Sequence, residues 1–325
     1  MRVPRSILIV IAAASVLCTP ELKLGPTYVF ATYVFAAEGA KGGRSGVQGA
    51  PPERVRSQSL NVSDNLYLAI GAGGNSLVMG ADSGTVLVDA KRAGSGKALA
   101  DIGSAVSDQP VATVILTTID DDHVGGLEDL PAVKQIVAHS NAPTLLRRKP
   151  AFQGAGARML PTQTFADRLS LLEGRDRIEL YYFGPAHTSA DIVVVFPEKR
   201  IAYVGDLFPD KRVPVIDLSN GGSGVAFPGT LAKAVAALKD IPRIIPGHAV
   251  SPTGSPLGRW ITLADFQEYA DFTRDFLTAV QEAHKAGKTA EQAAASLSLP
   301  ERYKNYGMEN ALATVRTIYQ ELARP

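Results

Sequence analysis

Five histidines and a group of aspartates are the side chains here whose chemistry could go beyond packing. The histidines are His123, His139, His187, His248 and His284. Three of them follow apolar, strand-type runs and lie among turn residues. His123 closes Thr117-Thr118-Ile119-Asp120-Asp121-Asp122-His123 and precedes Val124-Gly125-Gly126. His187 lies in Gly184-Pro185-Ala186-His187-Thr188, and His248 in Ile245-Pro246-Gly247-His248. Asp206 ends a further run, Tyr203-Val204-Gly205-Asp206. Strand-end loops on one edge of a sheet converge in space although distant in sequence. Imidazole and carboxylate donors without thiolate suit Zn²⁺ or a similar divalent ion. Singly, each residue reads as a capping aspartate or a hydrogen-bonded structural histidine; jointly, four of them at strand ends point to a metal.

The remaining polar candidates carry milder readings. His139, after Ile136-Val137-Ala138, is expected to be structural or to support a ligand from outside, and His284, beside Glu282 and Lys285, to be solvated. Asp191, four residues after His187, and Asp89 suit the task of tying down loops and orienting metal ligands. Lys211 and Arg212 follow the Asp206 loop and read either as attracting a substrate carboxylate or as a solvated pair.

Composition excludes several classes. In 325 residues, 46% are hydrophobic and 20% charged, which are ordinary globular values. Lys and Arg number 33 against 32 Asp and Glu, with no basic stripe, so a nucleic-acid partner is not expected and a small-molecule substrate is. Oligomeric state leaves no mark. Cys18 is the only cysteine, which removes disulfides, thiolate ligands and a cysteine nucleophile from the exported domain. Gly94-Ser95-Gly96-Lys97-Ala98 lacks the upstream glycine and the following Ser/Thr of a P-loop. Gly71-Ala72-Gly73-Gly74 is followed by a hairpin pattern where a dinucleotide motif needs a helix. Gly222-Ser223-Gly224 has the wrong spacing for a nucleophile elbow.

The elements that must position these residues can be read along the chain. Arg2 and Arg5 before the apolar run Ile7–Cys18 make residues 1–36 a secretory signal, directing the protein to the periplasm or outside. The pentapeptide TYVFA occurs twice, at Thr27–Ala31 and Thr32–Ala36; cleavage after Ala36 competes with a cut near Ala14, and an uncleaved anchor is the alternative. Leu17 is too bulky for lipidation at Cys18, and no other segment is long and apolar enough for a membrane span. Residues 37–59, rich in Gly, Pro and charge, read as a flexible linker. Short strands follow at Leu66–Ile70, Asn75–Met79, Thr85–Val88, Val111–Leu116 and Lys134–Ala138, with a helix over Ser95–Val106. A second strand-rich block covers Leu169–Leu172, Ile178–Tyr182, Ile192–Phe196, Ile201–Val204 and Arg243–Ile245, interrupted by a helix at Thr230–Leu238. From Ile261 the pattern is helical: Ile261–His284, Thr289–Leu297 and Asn310–Leu322. Two sheets covered by outer helices fit this order.

With these motifs in place, the chain resembles the metallo-β-lactamase-fold hydrolases from about Asn65 to Pro252. Asp122-His123 with Gly125-Gly126 matches the end of the family's H-x-H-x-D-H-x-G-G motif. His187-Thr188 matches its next histidine, Asp206 its bridging carboxylate, and Pro246-Gly247-His248 its last ligand. The resemblance implies an α/β (α+β) architecture: a four-layer αββα sandwich of two mixed sheets flanked by helices, with a C-terminal helical extension. Residues 60–258 would form the family domain and 259–325 the extension, packed on the same domain. It also implies zinc, held in one complete site by Asp122, His123, His248 and Asp206. A second site is depleted, because Thr118 and Asp120 stand where the family has the two histidines of H-x-H. That site keeps His187, with Asp120 and Asp206 beside it. A single zinc still lowers the pKa of bound water to about 7. The implied function is an exported hydrolase attacking an ester, thioester or amide, with Asp122 orienting the nucleophile or taking a proton. The alternative is a non-catalytic binding or scaffold protein on the same fold. Asn141–Thr164 and Val213–Pro228, the loops that would select a substrate, carry no recognition pattern.

Overall fold

The computed structural model describes residues 55–59, 65–131, 133–209, 211–248 and 260–324. All of them fall in one compact unit. The expected signal segment 1–36, Cys18 and the linker as far as residue 54 lie outside the described residues. The linker reading is corrected at its end. β1 (Arg56–Ser59) is a strand, antiparallel to β2 (Leu66–Ile70) over four residue pairs. Arg-Ser-Gln-Ser has no apolar alternation to announce a strand; backbone pairing at the sheet edge supplies what the side chains do not.

The first sheet begins as an antiparallel meander of β1, β2, β3 (Ser76–Met79) and β4 (Thr85–Val88). The helix α1 (Gly96–Val106) then crosses to β5 (Val111–Ile115), parallel to β4. After the short α2 (Asp121–Val124), β6 (Gln135–His139) continues the parallel run. α3 (Ala142–Leu146) leads to β7 (Gln163–Phe165) at the far edge. The sequence shows α3 and β7 only as loop, because five and three residues are too few to display a period. The second sheet runs β12-β11-β10-β9-β8. Its strands β8 (Arg168–Leu171), β9 (Ile178–Tyr181), β10 (Val193–Phe196) and β11 (Ile201–Gly205) are antiparallel neighbours. α4 (Phe227–Ala237) crosses over to β12 (Arg243–Pro246), parallel to β11. Three helices follow: α5 (Leu263–Lys285), α6 (Ala290–Ala295) and α7 (Ala311–Leu322).

Alternation along the strands sorts the core into layers. Val86 and Val88 of β4, Val194 and Phe196 of β10, and Ile201 and Tyr203 of β11 share one cluster between the sheets. Their neighbours point outward. Leu87 meets Leu99 of α1 and Leu145 of α3, whereas Val193, Val195, Ala202 and Val204 meet Phe227 of α4 and Phe266 of α5. Both faces of each sheet are covered, so central strands read as continuous apolar runs. The result is the expected αββα sandwich of two mixed sheets, with helices extending its C-terminal side.

The C-terminal layer is stapled by aromatics. Phe272 is fully buried, its ring 4.2 Å from that of Tyr306 and 5.2 Å from that of Tyr303. Thr262 and Asp265 form a capping box that fixes where α5 starts. His284, expected to be solvated, is half-buried with its ring 4.7 Å from that of Tyr319. Phe272→Ala is expected to destabilise the fold by about 3–5 kcal/mol. Urea denaturation should show one displaced transition, because helix and sheet share a core; two separate transitions would contradict that.

Candidate metal centre

The charged residues of interest sit where strands of both sheets end. β4 and β5 are parallel, as are β11 and β12. Their C-terminal ends carry Asp89, the 117–123 loop, Asp206 and His248 on one edge. The turn between β2 and β3 laces these loops together. Gly74 N–H donates to Asp122 O (3.0 Å), Asn75 N–H to Gly247 O (2.7 Å), and Asn75 Nδ2 to Pro246 O (2.9 Å). Gly74 lies against the His123 ring so closely that a Cβ would come within 2.3 Å of Nε2. A Cβ on Gly247 would come within 2.4 Å of Asp206 Oδ1. Only glycine lets backbone pass this near the polar atoms.

Two triads of donors result, Asp122–His123–His248 and Asp120–His187–Asp206, the atoms of each lying within 4.8 Å of one another. Asp206 links them: its Oδ1 is 3.4 Å from His123 Nε2 and 3.3 Å from His248 Nε2. Asp122 Oδ2 is 3.7 Å from His248 Nε2. Asp122, His123, His187, Asp206, His248 and Asp120, the six residues expected as ligands, therefore share one edge. Thr118 does not face it. Its hydroxyl donates to Asp191 Oδ1 (3.1 Å), away from the donor atoms.

His123 is oriented from behind. Its Nδ1 lies 2.7 Å from Asp89 Oδ2, and the same carboxylate accepts from Thr117 N–H (2.8 Å), Thr117 Oγ1 (2.6 Å) and Tyr203 Oη (3.0 Å). A carboxylate accepts only, so His123 Nδ1 carries a proton and Nε2 is the atom that faces Asp206. His123 Nε2 and Asp206 Oδ1 are both buried and have no hydrogen-bond partner. Two orphaned polar atoms at this depth are costly unless something binds them. A divalent cation accepting both, together with Asp122 and His248, fits this N/O donor set. Burial opposes the charge on His123, yet the carboxylates of Asp206 and Asp89 hold its pKa well above the usual value. Asp206 is held well below the carboxylate range: burial works against ionisation, and the three surrounding histidines outweigh it.

The second triad is built differently. His187 Nδ1 donates to Val215 O (2.9 Å), and Nε2 meets Asp120 Oδ2 at 2.5 Å as an imidazolium–carboxylate pair. Burial disfavours that imidazolium, but the Asp120 hydrogen bond and the charges of Asp191, Asp206 and Asp120 push its pKa up to about 10. Asp191 also accepts from Thr188 N–H (2.7 Å) and Thr188 Oγ1 (2.6 Å), which ties down the His187 loop.

Other candidates resolve as structural. His139 Nε2 bonds to Ala166 O (2.9 Å) and its ring stacks on Tyr182 at 3.7 Å. Lys211 pairs with Glu268 of α5 (2.9 Å) and Arg212 with Glu309 in the turn before α7 (3.1 Å), which corrects the reading of this pair as solvated and engages both cations on the C-terminal part of the chain. Sequence reasoning missed Lys91. It is fully buried in a left-handed conformation (φ 63°), and its Nζ donates to Gly74 O at 2.6 Å. Two residues past Asp89, it showed only as an ordinary charged residue after a strand.

Two outcomes follow from these contacts. Asp89→Asn should lower the affinity for an added divalent ion, read by chelator competition, by about 10–100-fold while leaving the circular dichroism spectrum intact. His187 has a folded pKa of about 10 against an ordinary 6.5, so its contribution is complete below about pH 6.5 and is lost as pH rises to about 10. Chelator-treated protein should therefore lose stability to urea across that window, and Asp120→Asn should remove this part of the slope.

Comparisons with known proteins bear on the family and the fold. The Lactamase_B family model, the metallo-beta-lactamase superfamily, matches residues 70–248. The 2,4-dinitroanisole O-demethylase subunit alpha of Nocardioides sp. (strain JS1661) is 27% identical over 158 residues, covering 47% of this chain and 45% of that protein. Metallo-beta-lactamase type 2 of Bacteroides fragilis is 28% identical over 89 residues, covering 27% and 36%. The chain thus spans less than half the length of these curated relatives. Among solved structures, a metallo-beta-lactamase from Pontibacter korlensis superposes with a TM-score of 0.53 at 17% identity, covering 68% of this chain and all of that one. The sec-alkylsulfatase Pisa1 from Pseudomonas sp. superposes at 0.62 with 16% identity, covering 81% and 50%. At such identities the structural likeness speaks for the fold, while the family match extends over more than half the sequence and includes every residue of both triads. The chain belongs to the metallo-beta-lactamase superfamily.

Proposed function

We propose that this protein is an exported metal-dependent hydrolase of a small-molecule ester, thioester or amide, with one complete zinc site formed by Asp122, His123, His248 and Asp206. The observation that carries the reading is the buried pair His123 Nε2 and Asp206 Oδ1, both without a hydrogen-bond partner and converging on the same point as His248. A divalent ion bound there supplies Lewis acidity toward a carbonyl and acidifies water. The chain's own groups do the rest. Asp89 holds the His123 ring at the angle that presents Nε2. Asp122 is half-exposed, so its carboxylate reaches solvent and is placed to orient a water or accept its proton. The Asp120–His187 pair keeps a cationic imidazolium next to Asp206, where a second ion's charge would otherwise fall.

That pair also favours a second reading, a non-catalytic binding protein, because an imidazolium satisfies Asp120 without any ion. Metal content separates the readings. Elemental analysis of full-length protein is expected to give about one zinc per chain, lost in Asp122→Ala/His248→Ala. Thr118→His/Asp120→His should add a second ion together with a gain in ester hydrolysis. Wild-type protein that takes up no added zinc would overturn the hydrolase reading. Export is tested on the same preparation: the intact mass of protein recovered from the periplasm or medium should fall short of the full 325 residues by the leader.

A further inference from the structure

A cavity of about 770 Å³ adjoins the centre, and the ligand residue Asp122 lines it. This volume is that of a small-molecule site. Val124, Phe152 and Met159 give it apolar walls and are themselves buried. Phe152 and Met159 come from the Asn141–Thr164 stretch, which showed no recognition pattern in the sequence.

The charges lining the cavity do not cancel evenly. Lys149 is taken by Asp121 (2.7 Å). Glu128 is exposed to solvent, and the Arg158 guanidinium donates to its backbone carbonyl (3.0 Å) and not to its carboxylate. Asp122 belongs to the ligand set. Arg92 remains: among the described residues its side chain makes no hydrogen bond or ion pair, and it is exposed. Its position makes that informative. The Arg92 Cγ and the Asp122 Cβ flank the same glycine, Gly73, so the stem runs beside a carboxylate with which the guanidinium does not pair. An unengaged planar fork on the lining of a cavity with apolar walls is suited to take a carboxylate or sulfate oxyanion.

We propose that this cavity binds a compact molecule with an alkyl or aryl body and an oxyanion group, anchored by Arg92 and delivered to the edge of the metal centre at Asp122. That the bound molecule is the substrate rests on the hydrolase reading; that it binds does not. Phenylacetate, phenyl sulfate and the neutral isostere phenylacetamide, titrated calorimetrically into the full-length protein, test it. Wild type should bind the tighter anion at least about tenfold more strongly than the amide, the order of one charge-assisted hydrogen-bond pair. Arg92→Gln should erase that preference and leave amide binding unchanged. The tighter anion then names the oxyanion. Equal binding of anion and amide by wild type, a preference that survives Arg92→Gln, or no binding of any probe would each overturn the inference. Zinc content measured on the same samples keeps the two claims apart: Arg92-dependent binding by protein that holds no zinc would retain the pocket and remove only its link to hydrolysis.

Discussion

Asp89 is sealed from solvent, and a carboxylate in that setting persists only where donors surround it. Its four donors come from Thr117, which supplies two, His123 and Tyr203. The first two residues follow β5 of the first sheet, and Tyr203 lies in β11 of the second. One buried anion thereby locks the sheets in register at the edge where the donor side chains gather. It also selects which nitrogen of His123 faces Asp206. The same Tyr203 proton is shared with Asn75 O (2.9 Å), so the glycine-rich turn over the His123 ring belongs to the same network. Networks of this kind are rigid when every member is satisfied, and the two unsatisfied atoms here both point at the centre.

Charge balance is the second constraint. Asp89, Asp191 and Asp206 are almost wholly buried near one another, with Asp120 and Asp122 at the rim. Burial pushes the Asp191 carboxyl up, while histidines pull Asp206 down. Replacing a neutral histidine by Asp120 adds another negative charge to this edge, and His187 answers it by holding a proton. The Asp120–His187 triad is thus held by an ion pair, whereas the Asp122–His123–His248 triad keeps uncommitted donors. Lys91, buried at the same edge, holds the Gly74 carbonyl with its Nζ.

Much of this was legible before folding was considered. Strands such as Val193–Phe196 and Ile201–Gly205 announce themselves by β-branched apolar runs, and α5 and α7 by their helical period. The donor positions gathered at this edge were legible too, since Asp122-His123, Asp206 and His248 each follow a strand and bring turn residues with them. β1 was not legible, because four polar residues owe their strand to a neighbour's backbone. Nor was the role of Arg92. One exposed arginine resembles another until Lys149, the other cation lining the cavity, is seen to be paired with Asp121.

The sequence by itself determined which chemistry was available: histidine and carboxylate donors at strand ends, no cysteine besides Cys18, and alternation that demands two sheets covered on both faces. Those follow from residue type and local period alone. Tertiary structure decided how the donors divide between two pockets. Thr118 turns toward Asp191, Asp120 closes on His187, and His123 is left with one nitrogen anchored and the other unpaired. Each of those choices depends on a partner tens of residues away, and hydrogen bonds over that distance are set by packing, which no local pattern encodes.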